Sequence, residues 1–79
     1  MAVFGREMLG RQVLDRTGAV LGTLCDLQFD LNTGAISELV VEVANGVNAA
    51  SLPFDHHENT VQIPASSVAR IASNIHLNR

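Results

Sequence analysis

Hydrophobic and polar side chains alternate along residues 35–43, Ala-Ile-Ser-Glu-Leu-Val-Val-Glu-Val, as they do in a strand with one face against a core. The parity that carries no charge consists of Leu39, Val41 and Val43. Ile36 and Val40 have the opposite parity, which they share with two glutamates. The pattern therefore predicts a strand whose uncharged parity faces the core, while Ile36 and Val40 face outward.

The alternation is broken in the longer run of residues 19–29, which has apolar side chains of both parities. A β-bulge adds one residue to a strand and so changes which face the following side chains occupy. We therefore predict a bulge or strong bend near residues 24–26, which turns both Leu24 and Leu27 toward the core. Gly22, inside this strand, is typical of a position where two backbones approach closely.

Two turns that end in glycine flank these strands, at residues 15–18 and 30–34. Glycine adopts a positive φ without steric cost, as a hairpin connection of this kind requires. The side chain of Asp15, and that of Asp30 or Asn32, is expected to accept hydrogen bonds within its turn. Each turn therefore predicts a hairpin.

The second half of the chain is less regular. Residues 44–59 carry Asn, Gly, Ser and Pro and predict a loop, with an irregular strand around residues 51–54. The spacing of apolar residues predicts one helical turn within residues 65–72, with Ser66 or Ser67 as its N-cap. The remaining strand-like segments are residues 12–14, 60–64 and 75–77.

Many short strands separated by glycine and proline turns are typical of an all-β sandwich or barrel. By length, residues 1–79 form one domain, and so short a chain buries only a thin core. Because closure removes exposed sheet edges, we favour a small β-barrel of five to six short strands with one helical turn near the C-terminus.

Three segments resemble a known family. Residues 9–22 are similar to the opening of a PRC-barrel domain, with its Asp-x-x-Gly turn, and residues 61–68, Val-Gln-Ile-Pro-Ala-Ser-Ser-Val, resemble its closing segment. Residues 30–42, Asp-Leu-Asn-Thr-Gly-Ala-Ile-Ser-Glu-Leu-Val-Val-Glu, resemble the signature of stand-alone archaeal PRC-barrel proteins, among them the CdpB-like cell-division proteins. The resemblance extends over about residues 4–77 and implies a single PRC-barrel domain of residues 1–79.

This resemblance implies a function through protein contacts. CdpB-like proteins bind SepF, the membrane anchor of FtsZ, and pair with themselves or with a sister PRC-barrel. A protein of this kind is expected to be a homodimer or heterodimer that acts at the division site and meets the membrane only through a partner. The alternative is an RNA or ribosome-assembly module, because the ribosome maturation factor RimM also carries a PRC-barrel.

The charge of the chain bears on its partners. The formal net charge is −3, and the five basic residues are all arginines, at positions 6, 11, 16, 70 and 79. A nucleic-acid surface needs several clustered cations, and these are scattered along the sequence, so no nucleic acid is expected as a partner. Arg6 and Glu7 interrupt the N-terminal segment before any signal-like apolar core, which together with the free cysteine favours the cytoplasm.

No set of residues has the spacing of a catalytic or metal site. Residues 55–58, Asp-His-His-Glu, are the strongest metal candidate, but adjacent histidines on a strand point to opposite faces, and we interpret the segment as a solvated acidic loop tip. Cys25 is not predicted to be a nucleophile, because the charge of the adjacent Asp26 raises the pKa of its thiol. We therefore predict no enzyme activity, no cofactor and no metal.

The predicted function is that of a non-catalytic adaptor that binds another protein, either by burying an apolar patch or by adding a strand at an incompletely closed edge. Candidate contact residues are Ile36 and Val40, from their outward parity, and Leu52 and Phe54, in the predicted loop. A small barrel can instead cover such residues with a loop, and the sequence leaves both alternatives open.

Overall fold

The computed structural model describes residues 8–79, which form seven short strands and two 3-10 turns. The strands are β1 (Gln12–Leu14), β2 (Val20–Phe29), β3 (Ile36–Val43), β4 (Asp55–His57), β5 (Thr60–Pro64), β6 (Val68–Ile71) and β7 (Ile75–Leu77). The 3-10 turns are Ala49–Ser51 and Ala65–Ser67. The all-β prediction is confirmed, with seven strands rather than five or six.

All seven strands belong to one sheet, in the order β4-β5-β3-β2-β1-β7-β6. Neighbouring strands are antiparallel except β1 and β7, which are parallel. The sheet is rolled around a single core, because side chains from β1, β3, β5 and β7 are all fully buried in one cluster. The buried hydrophobic residues are Met8, Val13, Leu24, Leu39, Val41, Val43, Ala49, Val61, Ile63, Ile75 and Leu77.

A bulge in β2 lies where the broken alternation predicts it. Leu24 pairs with Val41 and Asp26 pairs with Val40, so Cys25 is the additional residue. After this shift Leu27 pairs with the buried Leu39 and packs against the core. The bulge therefore reconciles the two apolar parities of this strand, as the sequence predicts.

Gly22 provides the close approach that its position in the strand indicates. The residue is buried and pairs with Val43 of β3 and Val13 of β1. A Cβ atom built on Gly22 would overlap the carbonyl group of Glu42 and lie 2.9 Å from the Val43 Cα. Glycine is therefore required here for its lack of a side chain.

A second register shift, between β2 and β3, corrects one expectation. Gln28 pairs with Glu38 but Phe29 pairs with Ile36, so Ser37 is the additional residue and donates a hydrogen bond to the Gln28 carbonyl at 3.2 Å. The shift places Ile36 against the core cluster, beside Leu39. The prediction that Ile36 shares the outward face of strand β3 is therefore wrong, because the parity changes at this bulge.

Both glycine turns have the predicted geometry. Gly18 and Gly34 have φ values of 91° and 73°. Asp15 Oδ1 accepts hydrogen bonds from the backbone N–H groups of Thr17, at 2.8 Å, and Ala19, at 3.0 Å. In the second turn Asp30 supplies the acceptor for the backbone N–H of residue 32, at 2.8 Å.

Two predicted elements of the second half are misplaced. The strand expected around residues 51–54 is wrong, since strand β4 begins only at Asp55 and the preceding residues follow a 3-10 turn. The helical turn expected within residues 65–72 is limited to Ala65–Ser67 and has no side-chain cap. Val68 and Ile71, whose spacing suggested the helix, instead belong to strand β6, which is paired with β7.

Candidate protein-binding surfaces

The sheet leaves an apolar cleft between the beginning of β3 and the segment that leads into β6. Strand β6 is the last in the hydrogen-bonded order and pairs only with β7. The register of β3 with β5 ends at Glu38 and Pro64, so Ile36 extends beyond that pairing. Between these elements lies a cleft of about 240 Å³, called the seam cleft below. It is lined by Met8, Ile36, Leu39, Ala65, Val68 and Ile71.

Two large hydrophobic side chains near this cleft are substantially exposed. Ile71, which lines the cleft, is 42% exposed. Phe29, the cross-strand partner of Ile36, is 51% exposed. Exposed apolar residues that adjoin an apolar concavity are typical of surfaces where proteins bind one another. The seam cleft is therefore the strongest candidate binding site in the described part of the chain.

The four contact residues that the sequence singles out do not form one site. Ile36 lines the seam cleft. Val40 is half-buried on the outer face, between Asp26 of β2 and Gln62 of β5. Leu52 and Phe54, which precede β4, pack against the core cluster. These two side chains are therefore partly buried against the core, which is the alternative to a contact surface that the sequence left open.

Phe29, Val68 and Ile71 of the cleft region are absent from the sequence-based set. Phe29 has the same parity as Leu27, which packs against the core cluster. This shared parity indicates that Phe29 lies on the inner side of the sheet, at the end of β2. The spacing of Val68 and Ile71 predicts a helix, whereas the two residues begin and end strand β6 at the sheet edge. Val68 and Ile71 line the same cleft as Ile36 because of the order of the strands in the sheet, which no local sequence pattern indicates.

The Asp-His-His-Glu segment is an edge strand and turn rather than a loop tip. His56 pairs with Val61 and His57 pairs with Thr60, so the two imidazoles leave opposite faces of β4. All four side chains of the segment are exposed, and Glu58 has a positive φ of 53° in the turn. Within residues 8–79 no group of three or more His, Cys, Asp or Glu side chains is arranged to hold a metal ion.

Cys25 projects from the β2 bulge, and its Sγ donates a hydrogen bond to the Val40 carbonyl at 3.3 Å. Partial burial of the sulfur raises the pKa of the thiol, and the charges of Glu42 and Asp26 raise it further. The adjacent aspartate thus acts in the predicted direction but is not the largest cause. A thiol with a raised pKa is a poor nucleophile at neutral pH.

A polar groove lies between the β1–β2 turn and strands β6 and β7. Its volume is about 510 Å³. Arg16 of the turn and Arg70 of β6 both line it, together with His76, which is the cross-strand partner of Arg70. We call this the arginine groove. Residues far apart in sequence are brought together here by the parallel pairing of β1 with β7.

These features define a small rolled β-sheet domain with an apolar seam cleft and a separate groove that contains two arginines. The sequence matches the family model of the PRC-barrel domain over residues 1–78, and the chain belongs to this family. No curated protein matches the chain. Among the described residues, no helix has both the length and the apolar character needed to cross a bilayer.

Proposed function

We propose that this PRC-barrel is a non-catalytic protein-binding module whose seam cleft receives an extended, apolar segment of a partner protein. The observation that supports this proposal is the combination of a concave apolar surface with the exposed Phe29 and Ile71 at a place where the sheet is not closed. Burial of such side chains is the main favourable term in protein association.

Strand β6 supplies the second part of the proposed mechanism. It pairs with β7 along one edge and is last in the strand order, so its other edge offers backbone N–H and C=O groups to an added strand. In such strand addition, main-chain hydrogen bonds give affinity and alternate side chains enter pockets that give specificity. A partner segment with an apolar residue at every second position fits a cleft beside this edge.

The proposed partner is SepF of the FtsZ division machinery. The support for this assignment is the resemblance of residues 30–42 to the signature of CdpB-like archaeal cell-division proteins. On this proposal the chain acts in the cytoplasm at the division site, reaches the membrane through its partner, and pairs with a second copy or with a sister PRC-barrel.

The test is titration of the wild-type protein and two variants with purified SepF by isothermal titration calorimetry. Ile71→Asp places a charge in the seam cleft, and we expect it to weaken binding by more than about tenfold, the size of an interface hot spot. Leu31→Asp is the matched control, because Leu31 is 98% exposed in the β2–β3 turn and does not line the cleft. It should leave the affinity unchanged.

The possible outcomes separate the parts of the proposal. SepF that fails to bind the wild-type protein would exclude this partner. SepF that binds Ile71→Asp as tightly as the wild type would exclude the seam cleft as the site. Strand addition predicts slower amide hydrogen exchange in β6 when SepF is bound, and unchanged exchange there would exclude that mode of binding.

A second candidate function, an RNA or ribosome-assembly module, is favoured by the presence of Arg16 and Arg70 in one groove. Against it stand the net charge of −3 and the lack of Tyr and Trp, since single-stranded RNA is bound by basic grooves with aromatic platforms. Retention of ribosomal RNA by the wild-type protein and its loss in Arg16→Gln/Arg70→Gln would support this second function.

A further inference from the structure

The charges of the described residues are divided between two halves of the sheet. The arginines Arg11, Arg16, Arg70 and Arg79 belong to or directly flank β1, β6 and β7, or the turn after β1. The acidic residues Asp26, Asp30, Glu38, Glu42, Asp55 and Glu58 belong to β2, β3 and β4 or their connecting turns. Among residues 8–79, Asp15 is the one exception to this division.

The acidic half has a continuous outer surface built by strand register. One row across the sheet consists of Asp26, Val40, Gln62 and Asp55. Glu42 and Glu38 flank this row on β3, one on each side, and are about 13 Å apart at 3.3 Å per residue. The four carboxylates of Asp26, Glu38, Glu42 and Asp55 therefore share one outward surface, called the acidic face below.

The arginine groove has a prearranged framework and a positive charge. The backbone N–H of Arg16 donates to the Arg79 carbonyl at 2.8 Å, which ties the β1–β2 turn to the end of β7. Asp15 also lines the groove and keeps its charge, with Oδ1 as an acceptor for Thr17 and Ala19 within the turn, so two guanidinium groups and one carboxylate leave a net positive charge. Arg16 and Arg70 consequently make this a site for carboxylates.

We propose that the acidic face of one copy of the chain binds in the arginine groove of the next copy. Because the two surfaces lie on different halves of the sheet, the contact is head-to-tail, and an open assembly has one unoccupied groove at one end and one unoccupied acidic face at the other. Contacts of this type generate open filaments or closed rings rather than symmetric dimers, and the pairing of the chain with a second copy takes this form.

This inference goes beyond the proposed binding of SepF and does not depend on it. The seam cleft, the arginine groove and the acidic face have no residue in common. A copy within such an assembly therefore still presents its seam cleft, and the assembly presents many clefts in a row. Binding of a partner to several clefts at once raises the effective affinity without any new contact.

Salt dependence gives the first test. Exposed ion pairs are individually weak, and added salt screens them, so the contact is expected to be strongest in dilute buffer. Sedimentation equilibrium of the wild-type protein should give an average mass above the 8.4 kDa of one chain at about 20 mM NaCl, and a mass near one chain at about 0.5 M. A wild-type protein that is monomeric in both buffers overturns the proposal.

Two variants, each with charged side chains of one surface replaced by neutral ones, give the decisive test. Arg16→Gln/Arg70→Gln removes the two positive charges of the arginine side chains in the groove, and Glu42→Gln/Asp55→Asn removes two charges of the acidic face. Each variant alone should be monomeric in dilute buffer. An equimolar mixture should form dimers and nothing larger, because the intact acidic face of the first variant binds the intact groove of the second. Glu58→Gln, a neutral substitution on the acidic half but outside the face, should assemble like the wild type.

The alternative outcomes are distinct. Variants that still dimerise alone, with no gain on mixing, would show a symmetric interface and overturn the head-to-tail contact. A monomeric wild type whose groove retains ribosomal RNA would assign the groove to nucleic acid instead. Ile71→Asn, which adds no charge beside Arg70, should assemble normally but lose SepF binding, so the two losses report on separate surfaces.

Discussion

At Gly22, strand β2 passes so near β3 that no side chain fits between them. We expect Gly22→Ala to lower the free energy of unfolding by about 3 kcal/mol or more, because the neighbouring atoms are backbone and can move aside only by distorting the sheet. Urea denaturation followed by far-ultraviolet circular dichroism measures the change.

Gly18→Ala is the matched control for this prediction. Gly18 has a positive φ of 91°, but a Cβ atom there would meet nothing within 4 Å. Its substitution should therefore cost only the strain of a left-handed backbone, about 1–2 kcal/mol. If the two variants were equally stable, steric overlap at Gly22 would not be the dominant cost.

The ionisation of Asp15 in the first turn makes the free energy of unfolding depend on pH. The Thr17 hydroxyl and the Ala19 backbone N–H donate to its carboxylate and hold its pKa below the ordinary value of 3.8. A carboxyl with a lower pKa in the folded state contributes stability above its unfolded pKa, and this contribution is lost as the pH falls through the folded pKa. The free energy of unfolding should therefore decrease as the pH is lowered below about 4.

Asp15→Asn isolates that contribution. The amide retains an acceptor oxygen for the turn but does not titrate, so its stability should fall less steeply than that of the wild type over the same acidic range. Denaturation curves recorded between neutral and strongly acidic pH provide the comparison. Superimposable pH profiles for the two proteins would contradict the role assigned to Asp15.

At the scale of elements, the turn of the β4–β5 hairpin holds a non-glycine residue in an unfavourable backbone conformation. Its turn places Glu58 in the left-handed region at φ 53°, where a Cβ atom costs about 1–2 kcal/mol. Glu58→Gly should relieve this strain and raise the free energy of unfolding by about 1 kcal/mol, after the greater backbone entropy of glycine is included. Thermal and urea denaturation both measure this gain.

Glu58→Ala is the control, because it removes the same charge but keeps the Cβ atom. It should leave stability nearly unchanged. A gain of equal size in both variants would attribute the effect to charge, since the acidic half of the sheet carries several other carboxylates.

Strand positions and their faces could largely be predicted from local alternation, as the buried Leu39, Val41 and Val43 show. The bulge at Cys25 could also be predicted, because two competing apolar parities require it. The register shift at Ser37 could not be predicted, because the sequence on either side of it has no competing apolar parity. Only the pairing of β3 with β2 moves Ile36 to the inner side of the sheet.

The candidate surfaces were harder to predict than the strands. Val68 and Ile71 fit a helical spacing as well as a short bulged strand, and a register shift between Val68 and Arg70 obscures the alternation. The arginines are dispersed in sequence and meet only because β1 pairs with β7. Both surfaces thus depend on contacts between segments that are distant along the chain, for which local patterns hold no information.

At the scale of the whole molecule, β1 is the single link in the sheet between the β2–β5 strands and the β6–β7 pair. Its central residue, Val13, is fully buried. Val13→Ala should lower the free energy of unfolding by about 2 kcal/mol, because it leaves a cavity at this junction. Val20→Ala, on a side chain that is 39% exposed, should cost less than about 0.5 kcal/mol.

Hydrogen exchange distinguishes a local effect of Val13→Ala from a global one. If β1 holds the two groups of strands together, amides of β3 and of β7 should lose protection by the same amount. Loss confined to β6 and β7 would show that the C-terminal pair detaches alone while the remaining strands stay folded.

The parallel contact between Val13 and Ile75 also sets the order in which a nascent chain can fold. The β1–β2, β2–β3 and β4–β5 hairpins have short connections and can form soon after they leave the ribosome, whereas the other edge of β1 pairs with β7, the last strand to be synthesised. Pairings between distant segments form slowly. During synthesis one edge of β1 therefore lacks its partner strand until translation of β7 is complete.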